Sequence, residues 1–345
     1  MYTVSTMSGK PAPFAGRAVP HLDDHFVSGL LDLASVTDAL EAAFLAWGRG
    51  EAATTQRVRS QAGGAMASAM AAVAPPYSGG KLYATNRGVF TFVVVLFDMD
   101  GRLLCTLDGD ALTRLRTPAT CALAVRLLAP PAPAVATVVG AGRQGWAHLQ
   151  MLVTEIPDVR EVRIHDHVTA AGEAMVARAR ARGIPAVAAD SPTAAVADAD
   201  VIVTATQSAT PLFAASAIGN RALICAVGST KDDRCEIGPD VVERCTTVVC
   251  DDAVGSRVEC GDLIHAAATG RFDWSRAVEL HDVVAGNVDV ERAGTAPMLF
   301  ETQGVSLQDV AVAGLAFERY VARFAARPSA HFTSPAVPTV RKDAR

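Results

Sequence analysis

Several features that would place this sequence in a particular class of protein are missing from it. It has no cluster of Lys and Arg, and its net charge is −5, which argues against nucleic acid as a partner. Its main apolar run, Val89–Phe97, has nine residues, which suits a buried strand and is too short to cross a membrane. No basic segment followed by an apolar one stands at the start, so we expect no signal peptide.

Paired cysteines and clustered metal ligands are missing as well. The histidines at 148, 265 and 281 have no second His, Cys or Asp at metal-ligand spacing, so the sequence predicts no metal site. What remains is a chain of 345 residues, half of them hydrophobic and 19% charged, which indicates a folded protein of two domains with a large core. The seven cysteines are scattered without a CxxC motif, which is typical of free thiols in a cytoplasmic protein: 105, 121, 225, 235, 245, 250 and 260.

The N-terminal third mixes one helix with a β-rich region. Ser35-Val-Thr-Asp38 matches a capping box, and apolar residues at helical spacing follow it as far as Gly48 and Gly50. Asp98-Met-Asp-Gly101 predicts a hairpin turn. A second helix is predicted to begin at Thr117-Pro118, with Thr117 as its N-cap. The predicted strands lie near residues 55–61, 65–73, 81–85, 89–98 and 102–108.

A glycine motif begins the second part of the chain. A valine-rich run precedes Gly140-x-Gly142-x-x-Gly145, and apolar residues at helical spacing follow, which predicts a strand, a tight turn and a helix. In this motif Gly140 permits the turn, Gly142 lets a phosphate approach the backbone, and Gly145 lets helix and strand pack closely. The N–H groups and positive dipole end of such a helix favour an anion.

The chain then alternates strands and helices, which is typical of a doubly wound parallel sheet. Six strands with crossovers predict an α/β fold of the Rossmann type, near 134–139, 161–166, 186–188, 201–206, 222–228 and 246–251. A last helix, 306–326, begins with a further capping-box pattern, Ser306-Leu-Gln-Asp309, and is predicted to pack on the N-terminal region. The predicted segments are a flexible leader at 1–20, one domain at 21–129 with 300–327, a dinucleotide-binding domain at 130–299, and a flexible tail at 328–345.

Six stretches of the sequence stand out together: Gly79-Gly-Lys81-Leu, Leu107-Asp-Gly-Asp-Ala-Leu-Thr-Arg-Leu-Arg-Thr117, Val139–Gly145, Ala199–Thr206, Ala226-Val-Gly228 and Gly304-Val-Ser-Leu-Gln-Asp309. Through them the sequence resembles the ornithine cyclodeaminase/mu-crystallin family over roughly residues 25–325. The resemblance implies a homodimer in which the N-terminal sheet and the last helix form an α+β dimerisation and substrate domain. It implies a nicotinamide-dependent reaction on a small amino or imino acid.

The resemblance also implies a set of substrate-binding residues. Lys81 matches the family's active-site lysine, which would hold the substrate carboxylate or polarise the imino acid, although a lone lysine before a strand is more often a solvated edge residue. Arg116 would bind a carboxylate beside the predicted helix start. The best match to the family's first carboxylate-binding arginine is Arg59, with Arg57 two positions away.

The expected cofactor is NAD, and the sequence does not exclude NADP. Asp166 ends the second predicted strand of the Rossmann fold, where a carboxylate binds both ribose hydroxyls and repels a 2′-phosphate. The neighbouring His167 could still accept a phosphate. The complete set of predicted cofactor-binding residues is Thr117, Gly140, Gly142, Arg143, Gln144, Gly145, Asp166, His167, Thr206, Val227, Gly228 and Ser229.

Thr230 indicates which reaction the family resemblance implies here. Cyclodeaminases of the family carry an aspartate two residues after the glycine at 228, and a threonine cannot act as a carboxylate base. We therefore expect reduction of an α-imino acid of the ketimine or Δ1-pyrroline-2-carboxylate type, with Lys81, Thr230 or a water as proton donor. A shortened segment after Lys81, residues 83–88, leaves the substrate side chain open. The alternatives are an ornithine or lysine cyclodeaminase, an alanine dehydrogenase, and a crystallin-like protein that binds the dinucleotide without turnover.

Overall fold

Two β-sheets organise the chain, a mainly antiparallel one near the N-terminus and a parallel one after it. The structure is a computed structural model that describes residues 19–86 and 89–325. The predicted tail and all of the predicted leader except residues 19 and 20 lie outside the described residues.

The first sheet is a series of hairpins that has seven strands within these residues. The predicted turn at Asp98–Gly101 is confirmed, since the Gly101 N–H donates to the Asp98 carbonyl at 3.1 Å and Gly101 has a φ of +79°. In spatial order the strands are His21–Leu22, Leu103–Asp108, Val89–Asp98, Tyr77–Asn86, Ala65–Ala74 and Ala53–Thr54, and Val58–Ala62 also pairs with Ala65–Ala74.

The second sheet is parallel throughout and confirms the predicted Rossmann-type fold. All six predicted strands are present, and two were not predicted, Ala277–Glu279 and Met298–Glu301. The strand Met298–Glu301 is inserted between two others, so the domain boundary predicted at residues 299–300 falls inside it. The spatial order is Ala186–Ala188, Glu161–His165, Val135–Val139, Val201–Thr204, Leu223–Ala226, Met298–Glu301, Thr247–Cys250 and Ala277–Glu279.

Helices cover both sheets, and none of those in the described ranges is long and apolar enough to cross a bilayer. All seven cysteines are free and buried, as predicted. The α-helices are Asp24–Leu30, Leu33–Gly48, Asp110–Leu128, Arg143–Glu155, Thr169–Arg180, Pro192–Val196, Pro239–Arg244, Ala253–Glu259, Gly261–Ala268, Leu280–Ala285 and Ser306–Ala325, with short 3₁₀ turns at Ala215–Ala217 and Trp274–Arg276.

The predicted helix start at Thr117-Pro118 is wrong. The helix begins at Asp110 and passes through Pro118 to Leu128; we call it the central helix. A proline inside a helix costs about 3 kcal/mol. Apolar residues on both sides of it, such as Leu112 and Leu123, are completely or almost completely buried, and this packing outweighs the local signal. Arg116 therefore lies in the middle of a helix and not beside a helix start.

Both predicted capping boxes are also wrong. The helix Leu33–Gly48 is capped by Asp32, whose carboxylate accepts from the Ser35 N–H at 2.9 Å. The last helix, Ser306–Ala325, starts at Ser306 itself, and the Ser306 hydroxyl donates to the Met70 carbonyl at 3.2 Å. The first of these helices thus begins earlier than its pattern predicts, and in the last helix a long-range contact takes the hydroxyl that the pattern assigned to a local cap.

The last helix packs on the first sheet, as predicted, and the central helix joins the two domains. The last helix contacts the strands Ala65–Ala74 and Tyr77–Asn86, and a Cβ on Gly314 would lie 2.4 Å from the Tyr77 ring. The central helix contacts Leu33–Gly48 on one side and Arg143–Glu155 on the other. The central helix therefore lies between the two domains, and different residues along it can contact each of them.

Candidate active site

Lys81 lies in the middle of a strand and its side chain is buried, which excludes the solvated edge position. It is 3% exposed, on the covered face of the first sheet. Its ammonium donates to the Thr113 hydroxyl at 2.7 Å and to an Asp309 carboxylate oxygen at 3.1 Å. The ring centre of Phe92 is 4.8 Å from the same nitrogen. Three different elements therefore fix the position of one ammonium group.

Burial changes the acidity of this ammonium group. Loss of hydration lowers the pKa of Lys81 from 10.5 to about 8, while the Asp309 carboxylate acts in the opposite direction. The positive charges of Arg116 and Arg57 lower this pKa further. Lys81 is thus protonated at neutral pH and can release its proton at modest cost.

Arg116 is the second buried cation of the site. It is one turn along the central helix from Thr113 and is 7% exposed. Its Nη1 donates to the Gln308 side-chain oxygen at 3.0 Å, and its Nε lies 3.7 Å from the Asp309 oxygen that Lys81 contacts. A Cβ at Gly304 would lie 2.5 Å from Nη1, so only glycine lets the guanidinium reach this position. Two cations therefore share one carboxylate.

Arg57 and Arg59 both contact Glu259, on the helix Ala253–Glu259 of the second domain. The two Nη1 atoms lie 2.5 Å from the two different oxygens of that carboxylate. Arg57 also donates to the carbonyls of Gln303 and Gly304, and its side chain is 7% exposed against 28% for Arg59. The structure therefore brings Arg57, and not Arg59, to the loop beside Arg116.

Asp251 is a site residue that the sequence does not single out. It follows the strand Thr247–Cys250, and one of its oxygens accepts from the Thr302 hydroxyl at 2.6 Å, the Gly304 N–H at 2.8 Å and the Gln308 amide at 3.1 Å. Burial raises the pKa of the Asp251 carboxyl, and the hydrogen bonds it accepts oppose that rise. Asp251 thus orients Gln308, which in turn accepts from Arg116. The only signal for it in the sequence is its position at a strand end.

The glycine motif forms a tight turn that leaves room for an anion. Gly140 has a φ of +110°, and a Cβ on Gly145 would lie 1.7 Å from the Gly140 carbonyl oxygen. By contrast, no atom lies within 4 Å of a Cβ placed on Gly142. The helix Arg143–Glu155 begins there without a side-chain cap, so its first N–H groups are available. These features fit a dinucleotide pyrophosphate.

Asp166 lies directly beside this turn. One of its carboxylate oxygens accepts from the Ala141 N–H at 2.6 Å, and the other accepts from the Val168 N–H at 2.8 Å. The His167 ring is 3.2 Å from the second oxygen, and its side chain is 91% exposed. A carboxylate held in this way can accept further hydrogen bonds from ribose hydroxyls, because each oxygen has a second lone pair.

The remaining predicted residues line the same end of the second sheet. The Val227 N–H donates to the Thr204 carbonyl at 3.0 Å, and the Thr230 N–H donates to the Gly228 carbonyl at 2.9 Å. Ser229 is buried, whereas Asp232 and Asp233 are exposed. Residues 227–230 follow the strand Leu223–Ala226, which pairs with Val201–Thr204. The strand order reverses between Val135–Val139 and Val201–Thr204, and ligands of such sheets bind in the crevice at this point.

Arg143 connects this end of the sheet to the central helix, and the predicted cofactor residues Thr117 and Gln144 lie on the two helices that it joins. Arg143 lies 3.4 Å from a carboxylate oxygen of Asp110, the first residue of the central helix. The buried Thr117 hydroxyl donates to the Thr113 carbonyl at 2.9 Å. The glycine turn and the Lys81–Arg116 pair therefore meet along one helix. No group of three His, Cys, Asp or Glu is placed to hold a metal in residues 19–86 and 89–325.

The sequence and the fold are similar to those of known proteins. The sequence matches the model of the ornithine cyclodeaminase/mu-crystallin family over residues 22–323. Delta(1)-pyrroline-2-carboxylate reductase 2 of Burkholderia ambifaria is 33% identical over 316 residues, which cover 88% of this chain and 97% of that protein.

Two solved structures are similar over most of their length. A probable ornithine cyclodeaminase from Bordetella pertussis Tohama I has a TM-score of 0.85 and 37% identity, and the match covers 89% of this chain and 99% of that one. The iminosuccinate reductase of Paracoccus denitrificans, solved in complex with NAD+, has a TM-score of 0.83 and 27% identity, with coverage of 89% and 98%.

Proposed function

Because the chain belongs to the ornithine cyclodeaminase/mu-crystallin family, we propose that it reduces the C=N bond of a small cyclic α-imino acid to the L-amino acid, with NADH as reductant. The observation that carries the proposal is the buried pair of Lys81 and Arg116, whose two positive charges share the single carboxylate of Asp309. Such a pair retains excess positive charge, so it attracts a substrate carboxylate. The identity to a Δ1-pyrroline-2-carboxylate reductase supports a substrate of that type.

Residues of the two domains have different roles in the proposed reaction. Arg116 offers its guanidinium to the substrate carboxylate, held in place by Gln308. Lys81, with its pKa lowered to about 8, donates a hydrogen bond to the imino acid and keeps the C=N bond polarised. A reduced nicotinamide bound here would supply the hydride that adds to the imine carbon. Thr230, on the loop after Leu223–Ala226, and a water are the other candidates for the proton donor.

The cofactor is NAD, and the residues present fit it. The glycine turn at 140–145 would hold the pyrophosphate, and Asp166 beside it would hold the adenosine ribose. The exposed His167 next to Asp166 leaves NADP compatible with the site.

Cyclodeamination is disfavoured by the residues around position 228. Thr230 supplies no carboxylate there, and the two acids that follow it in the sequence, Asp232 and Asp233, are exposed. An assay of purified protein with a panel of cyclic and acyclic α-imino acids, ornithine, lysine and alanine tests the proposal. We expect NADH oxidation with the cyclic imino acids. Ammonia release from ornithine without net NADH change, NADH formation with alanine, or cofactor binding without any turnover would each overturn the assignment.

Replacing Asp166 with alanine is expected to weaken the binding of NADH about tenfold, because the ribose hydroxyls lose a charged acceptor. The affinity for NADPH should stay within about threefold of the wild-type value. Titration of both reduced dinucleotides by fluorescence measures the two dissociation constants. Asp190→Ala, which removes an acid that lies beyond the neighbouring strand Ala186–Ala188, is the matched control. Unchanged NADH affinity in Asp166→Ala would contradict the ribose assignment.

The proposal includes a homodimer formed through the outer face of the first sheet. Leu82 is 56% exposed, and strand pairing places it in a row with Val58, Ala69 and Val93 across four strands. Val58 is 64% exposed. Ala69 and Val93 are partly exposed. A row of such apolar residues on the uncovered face of a sheet is typical of an interface between subunits.

Replacing Leu82 with glutamate is expected to convert the dimer into a monomer, because a charge would be buried at the centre of this interface. Light scattering coupled to size exclusion should give twice the chain mass of 35.9 kDa for the wild type and the single mass for the variant. Val288→Glu, at an exposed valine of the second domain, should remain dimeric. A wild-type protein of single mass would contradict the proposed interface.

A further inference from the structure

Glu236 has no role in the chemistry described so far, although it lies at the edge where the dinucleotide would bind. It is completely buried and follows the loop that begins at Gly228. Its carboxylate accepts four hydrogen bonds. They come from the Thr204 hydroxyl at 3.0 Å, the Thr206 N–H at 2.5 Å, the Thr206 hydroxyl at 2.6 Å and the Gly228 N–H at 2.7 Å.

These hydrogen bonds join the ends of two neighbouring strands. Thr206 follows Val201–Thr204, and Gly228 follows Leu223–Ala226, and each backbone N–H donates to a different oxygen of the same carboxylate. A Cβ on Gly228 would lie 2.1 Å from the Thr206 carbonyl oxygen and 2.6 Å from the carboxylate itself. The glycine is therefore required for the two turns to approach each other around Glu236.

The loop that carries Glu236 is itself held by a buried aspartate. One oxygen of Asp262 accepts from the Glu236 N–H at 2.7 Å, and the Asp262 N–H donates to the Ser229 hydroxyl at 3.1 Å. Ser229, Thr206 and Gly228 thus belong to one hydrogen-bonded unit. The glycine turn at 140–145 is held by Asp166 and is not hydrogen-bonded to Glu236, although it packs against Thr206, since a Cβ on Gly140 would lie 3.2 Å from the Thr206 methyl carbon.

We propose that Glu236 is a positioning residue for the nicotinamide half of the dinucleotide site, acting through the backbone of Thr206 and Gly228. The inference rests on the proposed dinucleotide site. In this arrangement the adenosine half is positioned by the glycine turn and Asp166, and the nicotinamide half by the two turns that Glu236 joins. The two halves should therefore respond separately to substitution.

Replacing Glu236 with glutamine tests whether the nicotinamide and adenosine halves of the site respond separately. Whichever way the amide is turned, its NH₂ group faces one of the two backbone N–H donors, so one hydrogen bond becomes a contact between donors. We expect NADH to bind at least about tenfold more weakly. ADP, which carries only the adenosine half, should bind within about twofold of the wild type, as measured by competition or calorimetry.

The control is Glu243→Gln, which makes the same change at an exposed acid paired with Arg271 and should alter neither affinity. If Glu236→Gln does not fold, Thr204→Val is the second variant, because it removes one hydroxyl that donates to Glu236. We expect it to weaken NADH binding about threefold and to leave ADP binding unchanged. Equal weakening of NADH and ADP, or no change in either, would overturn the inference. Failure of the wild type to bind NADH would instead overturn the proposed dinucleotide site.

Discussion

Lys81→Ala is expected to lower kcat for imine reduction by about 10³-fold and to leave NADH affinity within about twofold. The reason is that the ammonium contacts Thr113 and Asp309 in the first domain and makes no contact with the glycine turn or with Asp166. A positioned proton donor contributes about 10² to 10⁴-fold to a rate. Steady-state kinetics with Δ1-pyrroline-2-carboxylate and fluorescence titration of NADH measure the two quantities.

The conservative variant Lys81→Arg separates charge from proton donation. An arginine keeps the positive charge beside Asp309 but does not lose its proton near neutral pH. For the wild type, kcat/KM should fall above about pH 8, where Lys81 loses its proton. In Lys81→Arg that decline should disappear and the remaining rate should be low. An equal loss of NADH binding and turnover in Lys81→Ala would show that the lysine does not act on the substrate.

Arg116→Met is expected to raise KM for the imino acid about 100-fold, with a smaller change in kcat. Truncating one partner of a buried charge pair of this kind costs about 2–5 kcal/mol of binding free energy. The side chain of methionine fills similar space, so packing on the central helix is largely kept. Initial-rate kinetics at saturating NADH measure the change.

Arg59→Met is the matched comparison for Arg116. Arg59 pairs with Glu259, and its side chain is 28% exposed against 9% for Arg116, so water screens its charge more strongly. We therefore expect KM to rise less than tenfold in this variant. If Arg59→Met instead raised KM as much as Arg116→Met, Glu259 would have to move aside for the substrate. In that case the carboxylate would be bound at Arg59, as the family resemblance implies.

The parts of the fold that could be predicted from the sequence depend on local patterns. The strands of the second sheet are short apolar runs separated by helical periodicity, and Gly140, Gly142 and Gly145 have the spacing that a tight turn requires. The strand Met298–Glu301 was missed because it follows a long stretch without periodicity and enters the sheet between strands that precede it in sequence.

The parts of the candidate site that could not be predicted depend on contacts between distant residues. Asp309 and Ser306 match a capping box locally, yet Asp309 pairs with Lys81, 228 positions away in the chain. Pro118 signals a helix start, yet burial of its neighbours extends the central helix through it. Glu236, Asp251 and Glu259 are acids without a distinctive local pattern, and their roles follow only from the partners that the fold brings to them.

The predicted reaction transfers a hydride to the α carbon of the imino acid, which isotopic labelling can follow. Purified protein would be incubated with Δ1-pyrroline-2-carboxylate and NADH that carries deuterium at both C4 positions, and the product analysed by mass spectrometry and NMR. We expect L-proline with one deuterium at the α carbon, formed in equal amount to the NADH consumed. Proline without deuterium, or NADH that stays unoxidised with every cyclic imino acid tested, would contradict the proposed function.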